Sequence, residues 1–267
     1  ICSKVIFMLL FVCLGFIFSF SILFLHKIVK GKLAWLSALV PLSIFIYFAK
    51  FLKRVSDGEV IRSSYNWIPS FGVNLDFVVD GLSLLFVLMI SGIGTLVFWY
   101  TSSYLKGHQY LDRFYAYLGI FMSAMLGLVL SDNLITLFLF WELTSISSFF
   151  LIGFNNESSS SRKSALLALG ITGIGGLFLL GAAVILGDIS SSYSIAEIMQ
   201  QSNEVVMSSS YIFITILVFL AAFTKSAQFP FHFWLPGAMK APTPVSTYLH
   251  SATMVKAGIY LILRFSP

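Results

Sequence analysis

The sequence predicts an all-α polytopic membrane protein with about eight transmembrane helices. Of its 267 residues, 58% are hydrophobic and 10% are charged, whereas soluble domains carry about a quarter charged residues. The mean hydropathy is +0.93, and eight apolar stretches reach about 20 residues, the length that crosses roughly 30 Å of hydrocarbon. These observations exclude a disordered chain, a secreted disulfide scaffold and a conventional cytosolic enzyme, because none of them covers so much apolar surface.

The first two predicted spans are Val5 to Leu25 and Leu33 to Phe51. Lys4 before the first span imitates a signal peptide. However, the 21 uncharged residues of this span exceed the usual apolar segment of a signal peptide, and no small-residue cleavage site follows. We therefore expect both stretches to be membrane-spanning helices.

A polar connection of residues 56–80 separates the second span from the third. Within it, Asn66 to Asp80 alternates aromatic and β-branched residues around Pro69, Gly72 and Asn74. Alternation of this kind, interrupted by turn residues, predicts a short β-hairpin, which we place at the membrane surface.

The remaining six spans follow closely on one another. They are placed at Leu82 to Tyr104, Phe114 to Leu130, Leu134 to Phe154, Ser164 to Leu186, Tyr211 to Phe229 and Val245 to Leu263. Only Ser131, Asp132 and Asn133 separate the fourth span from the fifth. These two spans must therefore form a tight antiparallel helical pair.

The sixth span is rich in glycine. The spacing of Ala168, Thr172 and Gly176 puts small residues on one helix face, where another helix can approach closely. Because the glycines lie inside an apolar span and not between a strand and a helix, we interpret them as packing residues and not as a phosphate-binding loop.

Lysine and arginine in the short loops predict the orientation. One side collects eight of them, namely Lys27, Lys30, Lys32, Lys106, Arg113, Arg162, Lys163 and Lys240. The other side collects six, namely Lys4, Lys50, Lys53, Arg54, Arg62 and Arg264. The loops at 131–133 and 187–210 share this second side and contain neither residue type. The bias favours an external N-terminus, an external hairpin and cytoplasmic loops after spans one, three, five and seven.

Neither a metal nor another cofactor is indicated. The net charge of +5 fits basic residues at helix ends facing anionic lipid better than a nucleic-acid partner. Cys2 and Cys13 lie in or beside the first span, and the four histidines, His26, His108, His232 and His250, show no ligand spacing. No catalytic triad is recognisable.

Three charged residues lie deep within apolar spans: Glu142, Lys225 and Lys256. A charge at the bilayer centre costs at least about 2.5–3.5 kcal/mol, so each needs a partner, a water-filled cavity or a neutral protonation state. We interpret them as parts of a proton or ion path. The alternative is a buried ion pair that only fixes helix packing. Hydroxyl groups crowd the turn after Glu142, where they could bond its carboxylate or hold water against it, at Thr144, Ser145, Ser147 and Ser148.

The seventh span is predicted to break just after Lys225. Four of the seven prolines follow it, at Pro230, Pro236, Pro242 and Pro244. Proline removes a backbone donor and clashes with the preceding turn. Broken helices at membrane depth line cavities in transporters. A plain interhelical loop is the alternative.

A polar strip is predicted along the eighth span, formed by Thr247, His250, Thr253, Lys256 and Tyr260. On a continuous helix, His250 and Lys256 would lie about 9 Å apart along the axis. His250 is the better proton relay, since histidine titrates near neutrality; a packing histidine is the alternative. His232, just past Pro230, is either a relay or a helix cap.

Several segments of the sequence resemble a known family of membrane proteins. The segments TKSAQFPFHFWLP at 224–236, APTPVS at 241–246 and HSATMVKAG at 250–258 closely resemble the antiporter-like membrane subunits shared by Mrp-type sodium/proton antiporters and respiratory complex I. DGLS at 80–83, RFYAY at 113–117, SDNL at 131–134 and WELTS at 141–145 agree, so the resemblance covers most of the chain. The chain most resembles the large A subunits of Mrp antiporters, because Lys256 follows His250 by six residues, whereas the related complex I chain 5 subunit tends to lack a lysine there.

The resemblance implies an architecture. Residues 113–267, with spans four to eight, form one five-helix proton-channel unit that includes the broken seventh helix. Residues 1–112 hold spans one to three and the hairpin. A second five-helix unit of inverted topology is expected outside these residues. In the first unit, Glu142 matches the conducting glutamate, Lys225 the lysine of the broken helix, and His250 and Lys256 the onward proton relay.

The resemblance also implies a function. We expect a multi-pass subunit of a multi-subunit Na⁺/H⁺ antiporter in the inner cell membrane, which needs partner subunits and no cofactor and is a transporter rather than an enzyme. One alternative is a proton-pumping membrane subunit of an NADH:quinone oxidoreductase or membrane-bound hydrogenase. Another is a truncated, non-conducting scaffold subunit.

Overall fold

A computed structural model describes residues 2–25, 33–68, 70 and 73–266 of the chain. The helices are α1 Cys2–Leu25, α2 Leu33–Ala49, α3 Leu52–Ser56, α4 Gly81–Tyr104, α5 Leu111–Leu130, α6 Leu134–Ile152, α7 Ser159–Ser190, α8 Ile195–Gln200, α9 Ser202–Met207, α10 Tyr211–Lys225, α11 Leu235–Ala238, α12 Thr243–Thr247 and α13 Met254–Arg264. The strands are β1 Ile61–Ile68 and β2 Val73–Val79. Some residues used in the sequence interpretation lie outside the described ranges, namely His26, Lys27, Lys30, Lys32, Pro69 and Gly72.

Within the described ranges, four helices are long and apolar enough to cross a membrane: α4, α5, α6 and α7. They correspond to the third, fourth, fifth and sixth predicted spans. Shorter apolar helical stretches occur at Met8–Phe24, Trp35–Ala49 and Tyr211–Lys225. The predicted all-helical membrane architecture is therefore confirmed in outline. The 32-residue helix α7 extends beyond both predicted ends of its span.

Helix α5 lies at the centre of the molecule. All residues from 121 to 130 are buried. Two glycines let neighbouring helices approach it, since a Cβ at Gly119 would collide with Ser19 of α1, and one at Gly127 would collide with Phe140 of α6. The tight pairing of α5 with α6 follows from the three-residue turn between them.

The eighth predicted span is not a continuous helix. After α12 the chain makes a π-helical turn over Tyr248–Ala252, and α13 begins only after Thr253, whose φ of −130° and ψ of −88° interrupt the helix. The Thr253 hydroxyl donates to the carbonyl of Tyr248 at 2.6 Å, across the irregular turn.

This interruption separates the members of the predicted polar strip. His250 lies in the π-helical turn and Lys256 on α13. Thr247 is exposed, whereas Tyr260 is fully buried and donates its hydroxyl to Val129 O of α5 at 2.9 Å. The axial distance of about 9 Å expected for a continuous helix does not apply here.

The predicted β-hairpin is confirmed and is longer than expected. Strands β1 and β2 pair antiparallel from Ile61 opposite Val79 to Ile68 opposite Val73, with an irregularity between Asn66 and Ile68. The first strand therefore begins five residues before the predicted hairpin, because its pairing continues along the whole of β2.

The hairpin, the α5–α6 turn and the segment after α7 meet at one end of the molecule. Phe77 of β2 pairs with Ser131, and Asn133 pairs with Ser194. The Asp132 amide donates to Asp76 O at 2.8 Å, and the Asp132 carbonyl accepts from the Ile195 amide at 2.9 Å. The loops that the charge pattern placed on one side thus lie together, and the predicted 187–210 loop includes the short helices α8 and α9. We name this end the hairpin end. The opposite end, which holds the connections at 105–110, 153–158 and 239–242, is the loop end.

Candidate functional site

The site begins where helix α10 ends, at Lys225. Beyond it, the Ser226 amide donates to Ala222 O and the Gln228 amide to Phe223 O, and Ala227 adopts a positive φ of 50°. The chain then forms a 3₁₀ turn over Phe231–Trp234 and the short helices α11 and α12. Proline fits each of these segments because the first turn of a helix lacks partners for its N–H groups. Pro230 precedes the 3₁₀ turn and Pro242 precedes α12, while Pro236 and Pro244 lie in the first turns of α11 and α12.

The Lys225 side chain is fully buried. Its Nζ atom donates to Ser145 Oγ at 2.7 Å and to Trp141 O at 3.0 Å, both on helix α6. The ammonium also lies over the Trp141 ring, 5.1 Å from the centroid. One cation is therefore held by a hydroxyl, a carbonyl and an aromatic face, which together replace part of its hydration shell.

Glu142 follows Trp141 on helix α6 and is half-buried. Its Oε1 atom is buried and has no hydrogen-bond partner in the described part of the chain. The Glu142 carboxylate and the Lys225 ammonium interact electrostatically. They form no ion pair within 4.0 Å among the residues that the structure describes.

The hydroxyl groups after Glu142 do not bond its carboxylate. Thr144 Oγ1 donates to Trp141 O at 2.7 Å, Ser147 Oγ to Leu143 O at 2.7 Å and Ser148 Oγ to Ser145 O at 2.8 Å. Serine and threonine in helices commonly bond back to a carbonyl of the preceding turn, and these three do so. Ser145 Oγ also donates to a carbonyl of its own helix, Trp141 O at 3.3 Å, but its oxygen differs from the other three in accepting from Lys225.

Two adjacent glycines of α7 make room for the site. A Cβ at Gly176 would lie 2.8 Å from Glu142 Cδ, and a Cβ at Gly175 would lie 2.9 Å from Thr224 Cβ. Both glycines are buried, as are Ala168 and Thr172 on the same helix. The predicted packing role of the glycine-rich span therefore has a specific result: Glu142 and the residue before Lys225 both contact α7.

Trp234 connects the end of α10 to His250. Its indole Nε1–H donates to Thr224 O at 3.0 Å, and both residues are fully buried. The Trp234 and His250 rings lie 6.2 Å apart at an angle of 48°. Both ring nitrogens of His250 are buried and have no partner within the described ranges. His250 is therefore placed next to the broken end of α10 with its hydrogen-bonding capacity unused.

The structure brings together three of the five predicted path residues. Glu142 on α6 and Lys225 on α10 interact electrostatically without forming an ion pair, and Trp234 connects the end of α10 to His250. Lys256 is half-buried on α13, and its ammonium has no hydrogen-bond partner in the described chain. His232 is exposed on the 3₁₀ turn and stacks on Phe229 at 5.9 Å.

Sequence reasoning missed Trp234 as a residue of the site, and it considered Ser145 as a partner of Glu142 and not of Lys225. Ser145 follows Trp141 by four residues, a spacing that puts both on one helix face, and this was the available signal. No local pattern connects Trp234 with Thr224, since their contact depends on how the broken segment folds back.

A second charged cluster lies at the hairpin end, outside the membrane-spanning helices. Arg264 at the end of α13 pairs with Asp80, and Arg62 of β1 pairs with Asp132 at 3.3 Å. Asp80 also caps α4, since its carboxylate accepts from the Ser83 amide at 2.8 Å.

The two carboxylates of this cluster titrate differently. Burial raises the pKa of Asp132, and the charges of Arg264 and Arg62 offset only part of this effect. Burial also acts to raise the pKa of Asp80, but the Ser83 hydrogen bond and the Arg264 charge outweigh it, so that the pKa lies below its ordinary value. Asp80 therefore stays charged at neutral pH and holds Arg264.

The described residues contain no group of three or more histidine, cysteine, aspartate or glutamate side chains that could hold a metal ion. The site itself contributes three titratable side chains. They are the partly buried Glu142 carboxylate on α6, the buried Lys225 ammonium at the end of α10, and the His250 imidazole in the interrupted segment before α13.

The family model described as NADH:quinone oxidoreductase/Mrp antiporter, TM, matches residues 131–267, just over half of the chain. The chain belongs to this family. A second family model, described as NADH-Ubiquinone oxidoreductase (complex I), chain 5 N-terminus, matches residues 67–115. The match of the first model covers every residue of the site described above.

Curated relatives in the NADH:quinone oxidoreductase/Mrp antiporter family include Na⁺/H⁺ antiporter subunit A1 of Staphylococcus aureus. It is 51% identical over 257 residues, which are 96% of this chain and 32% of the relative. The same subunit of strain Newman gives the same identity and coverage. The chain thus spans about a third of the length of these relatives.

Two solved structures share the fold of this chain. The Mrp complex from Dietzia sp. DQ12-45-1b contains a chain that is 37% identical and superposes with a TM-score of 0.84, covering 97% of this chain and 28% of that one. The membrane-bound sulfane sulfur reductase, an archaeal respiratory membrane complex, gives a TM-score of 0.80 at 21% identity, covering 95% and 40%. The second likeness is one of fold alone.

Proposed function

We propose that this chain is part of a subunit of a multi-subunit Na⁺/H⁺ antiporter and conducts protons within it. The 51% identity to an antiporter subunit A1 and the superposition on a chain of an Mrp complex support this function. Both relatives are longer than this chain, so the proposed activity belongs to the full-length subunit with its partner subunits in the inner cell membrane. The chain itself is a multi-pass membrane protein and a transporter component rather than a classical enzyme.

The observation that carries the proposal is the buried Lys225 ammonium at the end of a helix that stops within the apolar core. A cation there is costly unless polar groups surround it, and titratable groups at such depth mark ion or proton paths. Because Glu142 is the charged group whose field acts on Lys225, protonation of one residue changes the proton affinity of the other.

We assign one role to each path residue. Glu142 accepts and releases the proton, and Lys225 responds to its charge. His250, next to the broken helix end, passes the proton onward towards Lys256. This path lies in the proposed five-helix unit of residues 113–267, while residues 1–112 pack against it. A second unit of inverted topology is proposed to complete the exchange against sodium.

The second candidate function is a proton-pumping membrane subunit of an NADH:quinone oxidoreductase or hydrogenase complex. The match of residues 67–115 to a complex I chain 5 model favours it. The same Glu142 and Lys225 would then be driven by electron transfer elsewhere in the complex. A non-conducting scaffold is the third candidate, and it would need neither residue.

The test is Glu142→Gln in the full-length subunit, expressed with its partner subunits and assayed in everted membrane vesicles with a pH-sensitive dye. The substitution keeps size and hydrogen bonding but removes the titratable charge. We expect the rate of sodium-dependent proton movement to fall at least 100-fold while the complex assembles normally. A fall of this size corresponds to an increase of about 2.7 kcal/mol in the activation free energy.

The matched control is Glu157→Gln, which removes an exposed carboxylate from the loop between α6 and α7 and should leave exchange unchanged. Wild-type exchange by Glu142→Gln would refute the proton path. Proton movement that needs NADH or another reductant and ignores sodium would favour the oxidoreductase.

A further inference from the structure

Lys225 forms hydrogen bonds with two neutral groups but none with the nearby Glu142 carboxylate. Its ammonium bonds neutral groups, the Ser145 hydroxyl and the Trp141 carbonyl, and not the nearby Glu142 carboxylate. Among charged groups of the described residues, Glu142 is the one that acts on Lys225 electrostatically. The buried Oε1 atom of Glu142 meanwhile has no partner there. The two charges are thus near each other but separately placed.

The flexible side chain of Lys225 can reach both Ser145 and Glu142. They lie three residues apart on α6, a separation of about 4.5 Å along the axis and 60° around it. The four-carbon stem of lysine carries a compact charge with three rotatable donors, so Nζ can move between two such neighbours while the backbone of α10 stays in place.

We propose that Ser145 Oγ and Trp141 O form a docking site that holds the Lys225 ammonium away from Glu142 during part of the transport cycle. Ser145 is then a positioning residue. This inference rests on the proposed function and adds a second location for the lysine. While Glu142 is protonated and neutral, the ammonium rests at the docking site. When Glu142 loses its proton, the new negative charge draws the ammonium away.

The chemistry of serine suits this task. A hydroxyl oxygen is a neutral acceptor, so it stabilises a buried ammonium without competing strongly against a carboxylate. A carboxylate at the same position would hold the lysine permanently, and an apolar residue would leave a buried N–H donor without a partner. The hydroxyl gives an intermediate strength, which a reversible change of partner requires.

The experiment uses Ser145→Ala and Ser145→Thr in the full-length subunit with its partner subunits, assayed for sodium/proton exchange in everted vesicles over a range of pH. We expect Ser145→Ala to slow exchange about tenfold, to leave the sodium concentration for half-maximal rate unchanged and to displace the pH profile by at least half a pH unit. Ser145→Thr keeps the acceptor oxygen and should retain at least half of the wild-type rate.

The matched control is Ser147→Ala. Ser147 is also a buried serine of α6, but its hydroxyl bonds only carbonyls of its own helix, those of Leu143 and Thr144. We expect wild-type rate and pH profile from this variant. If Ser145→Ala prevents assembly, Ser145→Cys, which is nearly the same size and accepts hydrogen bonds weakly, is measured instead and should show the same displacement.

The outcomes separate this inference from the proposed function. If Glu142→Gln abolishes exchange while Ser145→Ala matches wild type in rate and pH profile, the docking site is refuted and the proton path stands. If Ser145→Ala and Ser147→Ala are slowed equally, Ser145 only supports the helix and the inference fails. If Glu142→Gln retains exchange, the proposed function itself fails.

Discussion

The carbonyl of Thr224 is one of the last four in helix α10, where no backbone amide of the next turn is in place to bond it. The indole of Trp234 supplies the missing donor at 3.0 Å, in a fully buried position. This single hydrogen bond fixes the residue that precedes Lys225, so it bears directly on where the ammonium can go.

We therefore expect Trp234→Phe to impair transport without removing a titratable group. The phenyl ring keeps most of the packing, but an unpaired buried carbonyl costs about 1–3 kcal/mol. Sodium-dependent proton movement in vesicles should fall about tenfold. The control Phe233→Leu changes an exposed residue of the same 3₁₀ turn and should behave as wild type. Equal activity of both variants would show that the bond to Thr224 does not position Lys225.

At the scale of elements, helix α7 makes room for the site because it carries a glycine where a side chain would collide with Glu142. Gly176 lies against the Glu142 carboxylate, whereas a Cβ at Gly173 of the same helix would meet nothing within 4 Å. Of these two glycines, about one turn apart, one is crowded and the other is not. The same substitution at both positions therefore distinguishes the effect of a steric collision from the effect of alanine on helix stability.

We predict that Gly176→Ala lowers exchange at least tenfold, because the added methyl group displaces the Glu142 side chain. Gly173→Ala should keep wild-type exchange and stabilise the helix by up to about 1 kcal/mol, as replacing glycine inside a helix does. The measurements are vesicle exchange and the thermal stability of the purified complex. Full activity of Gly176→Ala would place Glu142 elsewhere in the working protein.

Sequence reasoning accounted for the elements that depend on local composition. Apolar length predicted helices α4 to α7, and period-two alternation with turn residues predicted the hairpin. It failed for the eighth span, because nothing in an apolar run signals that the chain turns irregularly at Thr253. It also considered bonds from the hydroxyls after Glu142 to its carboxylate, whereas Thr144, Ser147 and Ser148 bond carbonyls of their own helix. Contacts across long separations, such as that of Trp234 with Thr224, have no local signature.

At the scale of the whole molecule, helix α7 separates two groups of loops. Its 32 residues measure about 48 Å, longer than the roughly 30 Å of hydrocarbon, so we expect its ends to lie on opposite sides of a bilayer. Ser159 begins α7, and the chain after its other end pairs with the α5–α6 turn beside the hairpin. The arrangement places Asn66 and Ser159 on opposite sides.

Cysteine labelling tests this topology. In a full-length subunit with Cys2 and Cys13 replaced, single cysteines at the exposed positions Asn66 and Ser159 should react with impermeant maleimide from opposite sides of the membrane, and Asn203 should label with Asn66. Intact cells and everted vesicles expose the two sides in turn. We expect Asn66 to label in intact cells; labelling of Asn66 and Ser159 from the same side would contradict the topology.

The two ends of the molecule are joined in different ways, and this decides where movement can occur. At the hairpin end, backbone bonds and two arginine–aspartate pairs fasten α4, α5, α6 and α13 to the hairpin. At the loop end, the corresponding connections are exposed side-chain contacts, such as Lys240 with Ser160 and Thr243 with Tyr104. We therefore expect the hairpin end to be held more firmly than the loop end, because separating its elements would break backbone hydrogen bonds and ion pairs together.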